Sequence, residues 1–183
     1  TEIAVMSLAG VVTWKSLNMA GDEMNKNIIQ YAREQFNLLL GERIAERIKM
    51  RMGSAMELDE PMEMEMRGRD LLSGLPKEII VTDSQVREAL ARCVRAIVEN
   101  VKATLEMTPP ELVADIYERG VVLTGGGALL RGMDTLISRQ ASVPVRVADD
   151  PLTCVVRGAG MLLENEALLK DISLPSASEG SII

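Results

Sequence analysis

Leu123–Gly132 reads LTGGGALLRG, three successive glycines at the end of an apolar, strand-like run. Glycine inside an element costs roughly 0.5–1 kcal/mol relative to alanine, mostly as backbone entropy. Three together exceed what a simple turn requires. Either the backbone passes through conformations closed to other residues, or a large group lies against it where a β-carbon has no room. The flanks predict a buried strand over Val121–Thr124 and a helix from about Met133 to Gln140. Strand, glycine turn, helix is the order in which backbone N–H groups approach a phosphate or a nucleotide. The stretch is not GxGxxG, because Ala128 interrupts it and no acidic residue follows at the dinucleotide spacing. It is not a Walker A loop, because no Gly-Lys-Ser/Thr follows. By itself it leaves a tight structural turn and a ligand-approach loop both open.

Working outward, a strand is predicted at Val143–Val147, a last helix over Leu152–Glu164, and a mobile Ser-rich tail after Leu174. Upstream, Thr108-Pro-Pro-Glu111 has the form of a capping box with Pro109 at the first helical position, opening a helix that ends near Gly120. Thr82-Asp-Ser-Gln85 is a second box, for a long helix with Val86, Leu90, Val94, Ile97, Val101 and Leu105 on its apolar face. Earlier still, Glu2–Leu8 and Val11–Leu17 form a hairpin around Ala9-Gly10. Asp22 then caps a helix whose apolar face is Met24, Ile28, Ala32, Phe36 and Leu39, broken at Gly41. A short helix follows through GERIAERIKM, Gly41–Met50. Met62, Met64 and Met66 alternate with charged residues on a half-buried strand, where methionine serves as core filler rather than as a Cu(I) stripe. Strands alternating with helices in the second half predict an α/β layered fold.

Composition narrows the function classes. The chain has 183 residues, enough for one compact domain or two small ones. Its only aromatics are Trp14, Tyr31, Phe36 and Tyr117, so the core must be aliphatic and methionine-rich. The net charge of −7 argues against nucleic acid as a partner, which needs clustered Lys and Arg. With no histidine, the commonest catalytic base and the commonest metal ligand are absent. Cys93 and Cys154 read as two separate buried thiols. No apolar run is long enough to span a bilayer. Thr1 leads at once into strand-like sequence, as in a chain cut inside an element, so an upstream part of a longer protein is expected.

In Ala45-Glu46-Arg47-Ile48-Lys49, Glu46 and Lys49 are i and i+3 and share a helix face. They form either a solvated ion pair or a site in which the carboxylate takes ribose hydroxyls and the lysine covers a base.

Taken in order, TEIAVMSLAGVV, AGDEMN, GERIAERIK, TPPELVADIYERG, VLTGGGALLRG and DPLTCVVRGAGMLLE decide between these readings. The chain resembles the bacterial actin-like MreB family, of the actin/Hsp70/sugar-kinase superfamily, over essentially its whole length. The resemblance implies an α/β, actin-like (ribonuclease H-like) ATPase domain II. Subdomain IIA would comprise residues 1–42 and 108–170, subdomain IIB residues 43–107, and 171–183 a flexible tail. It implies nucleotide-binding residues Glu46, Arg47, Ile48 and Lys49, with Glu46 and Lys49 on ribose and base. It also places Gly125, Gly126 and Gly127 against the nucleotide, and Ala128 and Leu129 on the adenine side. ATP is the implied cofactor, with Mg²⁺ held by ligands of the N-terminal half. In the family a DxGGGT phosphate loop precedes the TEIAV segment, so no catalytic residue is expected within residues 1–183. Implied partners are further copies of the chain, forming filaments, and the cell-wall elongation machinery. The implied location is cytoplasmic, at the inner face of the cytoplasmic membrane. The Met-rich segment 50–66 departs from the family's expected text. A nucleotide-free actin-fold scaffold, and a sugar kinase or chaperone ATPase of the same superfamily, are the rival readings.

Overall fold

The computed structural model describes residues 1–8 and 10–164; the proposed tail at 171–183 lies outside them. The chain opens with an antiparallel hairpin, β1 (Glu2–Ser7) and β2 (Gly10–Ser16), with a register shift between Val5 and Met6. Helix α1 (Gly21–Phe36) follows. The two-residue strand β3 (Leu38–Leu39), helix α2 (Glu42–Met52) and strands β4 (Glu63–Asp70) and β5 (Pro76–Thr82) come next. The strands form a second antiparallel sheet, ordered β3-β4-β5. The long helix α3 (Asp83–Glu106) leads to α4 (Pro110–Arg119), β6 (Val121–Leu123), a 3₁₀ turn (Gly126–Leu129) and α5 (Met133–Ala141). Strand β7 (Val145–Val147), parallel to β6, and α6 (Cys154–Glu164) complete the described chain.

Helix α3 is the spine because its sequence carries a strong start signal and an unbroken apolar stripe. The Thr82 hydroxyl accepts from the Gln85 N–H, and the Gln85 side chain accepts from the Thr82 N–H, a complete capping box. Val86, Leu90, Cys93, Val94, Ile97 and Val101 are buried along one face, with Leu105 packed against the same core. The core is aliphatic and methionine-rich: Leu38, Ile48, Met52, Met66 and Leu90 are among its largest fully buried side chains. Met66 is interior, and Met62 and Met64 pack against the core, so these thioethers are packing groups. An apolar groove of about 500 Å³ lies between β1 and β6, floored by α3 and α4.

Asp83, at the first turn of α3, clips the start of β4 to the helix. Its carboxylate accepts from the Met62 N–H at 3.1 Å and from Arg87 at 3.1 Å, while its own N–H donates to the Met62 carbonyl at 2.9 Å. The Met62 N–H first, and the Arg87 guanidinium second, hold its carboxyl below the usual carboxylate range. A group depressed in this way stabilises the fold above its unfolded pKa, and the contribution disappears as pH falls through its lower folded value. Acid titration followed by circular dichroism is expected to show the wild type losing stability over that window. In Asp83→Asn, stability is already reduced at neutral pH and this component of the acid loss is absent. Identical acid profiles for the two proteins would rule the clip out.

Several local signals resolve differently from their sequence reading. Asp22 is not the cap of α1: the helix begins at Gly21, the Met24 N–H bonds the Ala20 carbonyl, and Asp22 lies in the first turn, favourable to the helix dipole. That helix stops at Phe36 because Asn37 adopts φ +52°, and Leu39 joins β3 opposite Arg69 instead of extending the helical face. The Thr108 box does not form. Its hydroxyl donates back to the Thr104 carbonyl at 2.7 Å, Pro109 takes the cap position and Pro110 opens α4. The strand at Val121 is three residues long and leaves Val122 exposed, so it is not a buried strand. Cys93 is buried but Cys154 only partly so, and both thiols are free. β5 has no counterpart in the sequence reading; its alternation, Ile79 inward and Ile80 outward, carries the signal.

Candidate functional site

The site is built on α2 and on the turn after β6. Ala45, Ile48 and Met52 form the buried stripe that pins α2, leaving Glu46 and Arg47 exposed and Lys49 half-buried. Lys49 does not pair with Glu46. Its ammonium donates to the Gly21 carbonyl at 3.0 Å, reaching the N-terminus of α1 across 28 residues of sequence. A β-carbon at Gly21 would stand 3.1 Å from Nζ, so the missing side chain there gives the ammonium its room. Glu46 has no hydrogen-bond or ion-pair partner among the described residues, a free carboxylate beside an anchored cation.

The other two α2 candidates face elsewhere. Arg47 lies about 200° around the helix from Lys49. With Arg51 it lines a groove against Glu63 and Glu65 of β4. The Ile48 side chain is 0% exposed and belongs to the core. It positions the helix and offers no side chain to a ligand.

The three glycines have different reasons. Gly125 has φ +76° and ψ −179°, a combination essentially confined to glycine, and its N–H bonds the Pro151 carbonyl at 2.7 Å. Gly126 and Gly127 have no such conformational demand. A β-carbon at Gly126 would meet Leu152 Cδ2 at 3.6 Å, an ordinary contact, and one at Gly127 would meet nothing within 4 Å. The N–H groups of both have no acceptor among the described residues, and both positions are exposed. This is an exposed stretch of backbone whose two donors have no partner among the described residues. Ala128 turns its side chain inward and is buried, whereas Leu129 is 56% exposed.

The two halves of the site are stitched together just past the glycines. The Ala55 N–H bonds the Arg131 carbonyl at 2.8 Å, and the Arg131 guanidinium bonds the Arg51 carbonyl at 2.8 Å. A β-carbon at Gly53 would crowd the Lys49 carbonyl oxygen at 2.3 Å and Leu130 Cδ1 at 2.9 Å, so glycine lets α2 end tightly and pack against Leu130. Gly21, Gly53 and Arg131 had no sequence signal of their own as site-building residues, except that each glycine sits at a helix boundary.

A family model described as MreB/Mbl protein matches residues 1–171. The cell shape-determining protein MreB of Escherichia coli (strain K12) is 49% identical over 164 residues, covering 90% of this chain and 47% of that protein. The crystal structure of MreB5 of Spiroplasma citri bound to AMPPNP is 33% identical with a TM-score of 0.86, over 93% of this chain and 51% of that one. The MamK double helical filament, 22% identical, shares the fold with a TM-score of 0.74 over 95% of this chain and 51% of that one. The chain thus spans about half the length of the relatives it matches.

Proposed function

The chain belongs to the MreB/Mbl family and has an actin-like fold, and from that premise we propose that it is domain II of an ATP-binding cytoskeletal protein whose filaments determine cell shape. The observation that carries the nucleotide reading is the pair Gly126 and Gly127. Among the described residues, neither the backbone angles nor a close neighbour requires glycine at either position, and a group lying against the backbone from outside the chain accounts for both. The Spiroplasma citri relative, bound to AMPPNP, supports a nucleotide as that group.

In this reading the bare backbone of Gly125–Gly127 lies against the nucleotide and the free N–H groups of Gly126 and Gly127 donate to its acceptor atoms. Glu46 accepts from the ribose hydroxyls. Lys49, held by the Gly21 carbonyl, lays its stem along the base. Leu129 contributes apolar surface on the adenine side, and Ala128 takes part only through its backbone. No three Cys, Asp or Glu side chains gather into a metal site among the described residues, so no residue of this chain is assigned to Mg²⁺, which would bind with the phosphates through the other half. That half would also supply the groups for slow hydrolysis. Residues 1–42 and 108–170 would form subdomain IIA and 43–107 subdomain IIB. Nucleotide state would bias closure of the two domains and so filament affinity. The filaments would lie in the cytoplasm under the membrane and organise the cell-wall elongation machinery.

Titration of AMPPNP into the full-length chain tests this. Loss of a charge-assisted hydrogen bond in Glu46→Ala is expected to cost about 1.5–3 kcal/mol of binding, roughly 10- to 150-fold in affinity. The melting temperature should stay unchanged, because Glu46 has no partner among the described residues. Equal affinity in the two proteins would remove the ribose role. No binding by the wild type would leave the scaffold reading.

A further inference from the structure

Strand β4 is fully paired on one side only. There β5 holds every residue from Glu63 to Arg69. On the other side β3 supplies two residues, Leu38 and Leu39, opposite Asp70 and Arg69, before the chain leaves the sheet for α2. The Leu71 N–H bonds the Asn37 carbonyl at 2.8 Å on the β3 side, while the Asp70 N–H bonds the Leu75 carbonyl at 2.8 Å on the β5 side. Backbone groups of successive residues alternate between the two edges of a strand, so the N–H and C=O of Glu63, Glu65 and Arg67 turn to the β3 side. No strand among the described residues meets them there. The open run is about 17 Å long at roughly 3.4 Å per residue.

The space beside that edge is an independent observation. A groove of about 420 Å³ is lined by Met62, Glu63, Met64 and Glu65 in succession, so it follows the edge of the strand and not one face of the sheet. Its far wall is Arg47 and Arg51 of α2. Both arginines are exposed, and neither has an ion-pair partner among the described residues. The acids of β4 do not neutralise them. Glu63 and Glu65 alternate with Met64 and Met66, which pack on the core, and so stand on the opposite face of the sheet, where Arg67 bonds Glu65 and Glu78. Met62 and Met64 are only half-buried and offer thioether surface to the groove.

We propose that this edge takes an extended acidic segment of a partner protein as a further strand, in line with β3 and antiparallel to β4. Its main chain would exchange hydrogen bonds with Glu63, Glu65 and Arg67, the mode in which an exposed sheet edge captures a peptide. Alternate side chains would face α2, their carboxylates meeting Arg47 and Arg51 and their methylenes lying on Met62 and Met64. Charge selects this occupant over a second copy of the chain. A β4–β4 pair would bring a second set of the same arginines into one groove. Glu46 and Lys49 take no part, so the proposal stands apart from the nucleotide reading.

The probe is a fluorescein-labelled peptide of about eight residues, alternating glutamate and threonine. Two controls accompany it: one with lysine for glutamate, and one with every peptide nitrogen methylated, which deletes the donors and keeps every charge. Fluorescence anisotropy on the full-length chain should show the acidic peptide binding and both controls at least about tenfold weaker. Glu65→Pro should weaken the acidic peptide to the same degree and still fold, because the Glu65 N–H faces the open edge, where proline is tolerated. Its AMPPNP affinity should equal that of the wild type, which separates this surface from the nucleotide reading. Arg51→Glu should weaken the acidic peptide and admit the lysine one. Equal binding of the acidic and lysine peptides, or full affinity in the methylated peptide, would overturn the proposal. So would a folded Glu65→Pro with wild-type affinity, or no binding of the acidic peptide. Self-association on gel filtration that Glu65→Pro abolishes would give the edge to a second copy and overturn it too. Should Glu65→Pro unfold, the methylated peptide decides the matter on the wild type.

Discussion

Gly126→Val in the full-length chain is expected to abolish nucleotide binding while leaving the fold intact. The two effects separate because no described residue requires glycine at position 126. Its φ lies outside the left-handed region, and the space around it is open except for Leu152 Cδ2 at 3.6 Å from a β-carbon. Valine there adds three carbons to the outward face, in the volume assigned to the ligand. Stability should change by no more than about 0.5 kcal/mol, as for an exposed substitution without a special backbone role. Affinity for AMPPNP should fall by more than about 100-fold, or roughly 2.7 kcal/mol. Gly127→Val should behave alike. Gly125→Val is a poorer probe, since its backbone combination alone would add roughly 1–3 kcal/mol of strain. A folded Gly126→Val protein with unchanged affinity would sink the backbone-approach argument.

Gly120→Val should have the opposite signature, a large loss of stability with no ligand involved. Gly120 has φ +78° and ψ −174°, again a combination essentially confined to glycine. A β-carbon there would stand 2.5 Å from the Pro144 carbonyl oxygen and 3.0 Å from Pro144 Cβ. The backbone has little freedom to retreat. The Gly120 N–H bonds the Ile116 carbonyl at 2.7 Å, closing α4, and the Val121 N–H bonds that same Pro144 oxygen at 2.8 Å, opening the β6–β7 ladder. Strain of roughly 1–3 kcal/mol and overpacking of about 1–3 kcal/mol should together cost roughly 2–6 kcal/mol. That is a large fraction of the 5–15 kcal/mol typical of a folded domain. Urea unfolding should show a much lower midpoint at unchanged slope. A change under about 1 kcal/mol would show that β6 and β7 can separate cheaply.

What the sequence determined by itself lies in signals complete within a few residues. The Thr82–Gln85 box and the stripe from Val86 to Val101 specify α3, because cap and stripe partners are near neighbours on one helix. The pairing of β1 with β2 and the short helix through AERIK were legible for the same reason, and the ordered series of motifs identified the family. Tertiary structure alone decided the rest. Glu46 and Lys49 have ideal spacing for an ion pair, yet Lys49 goes to Gly21, since a carbonyl brought alongside by folding outcompetes a solvated carboxylate on the same helix. Arg47 and Ile48 share a motif with Glu46, but the turn of the helix sends one to another groove and the other into the core. The glycine run could not show which residue serves the backbone and which leaves room for something else. Gly125 is held by its own dihedral angles, whereas Gly126 and Gly127 face open space, and that distinction exists only once Pro151 and Leu152 have been folded against the turn. Local conformational preference is a property of the segment, but a contact is a property of where two distant segments come to rest.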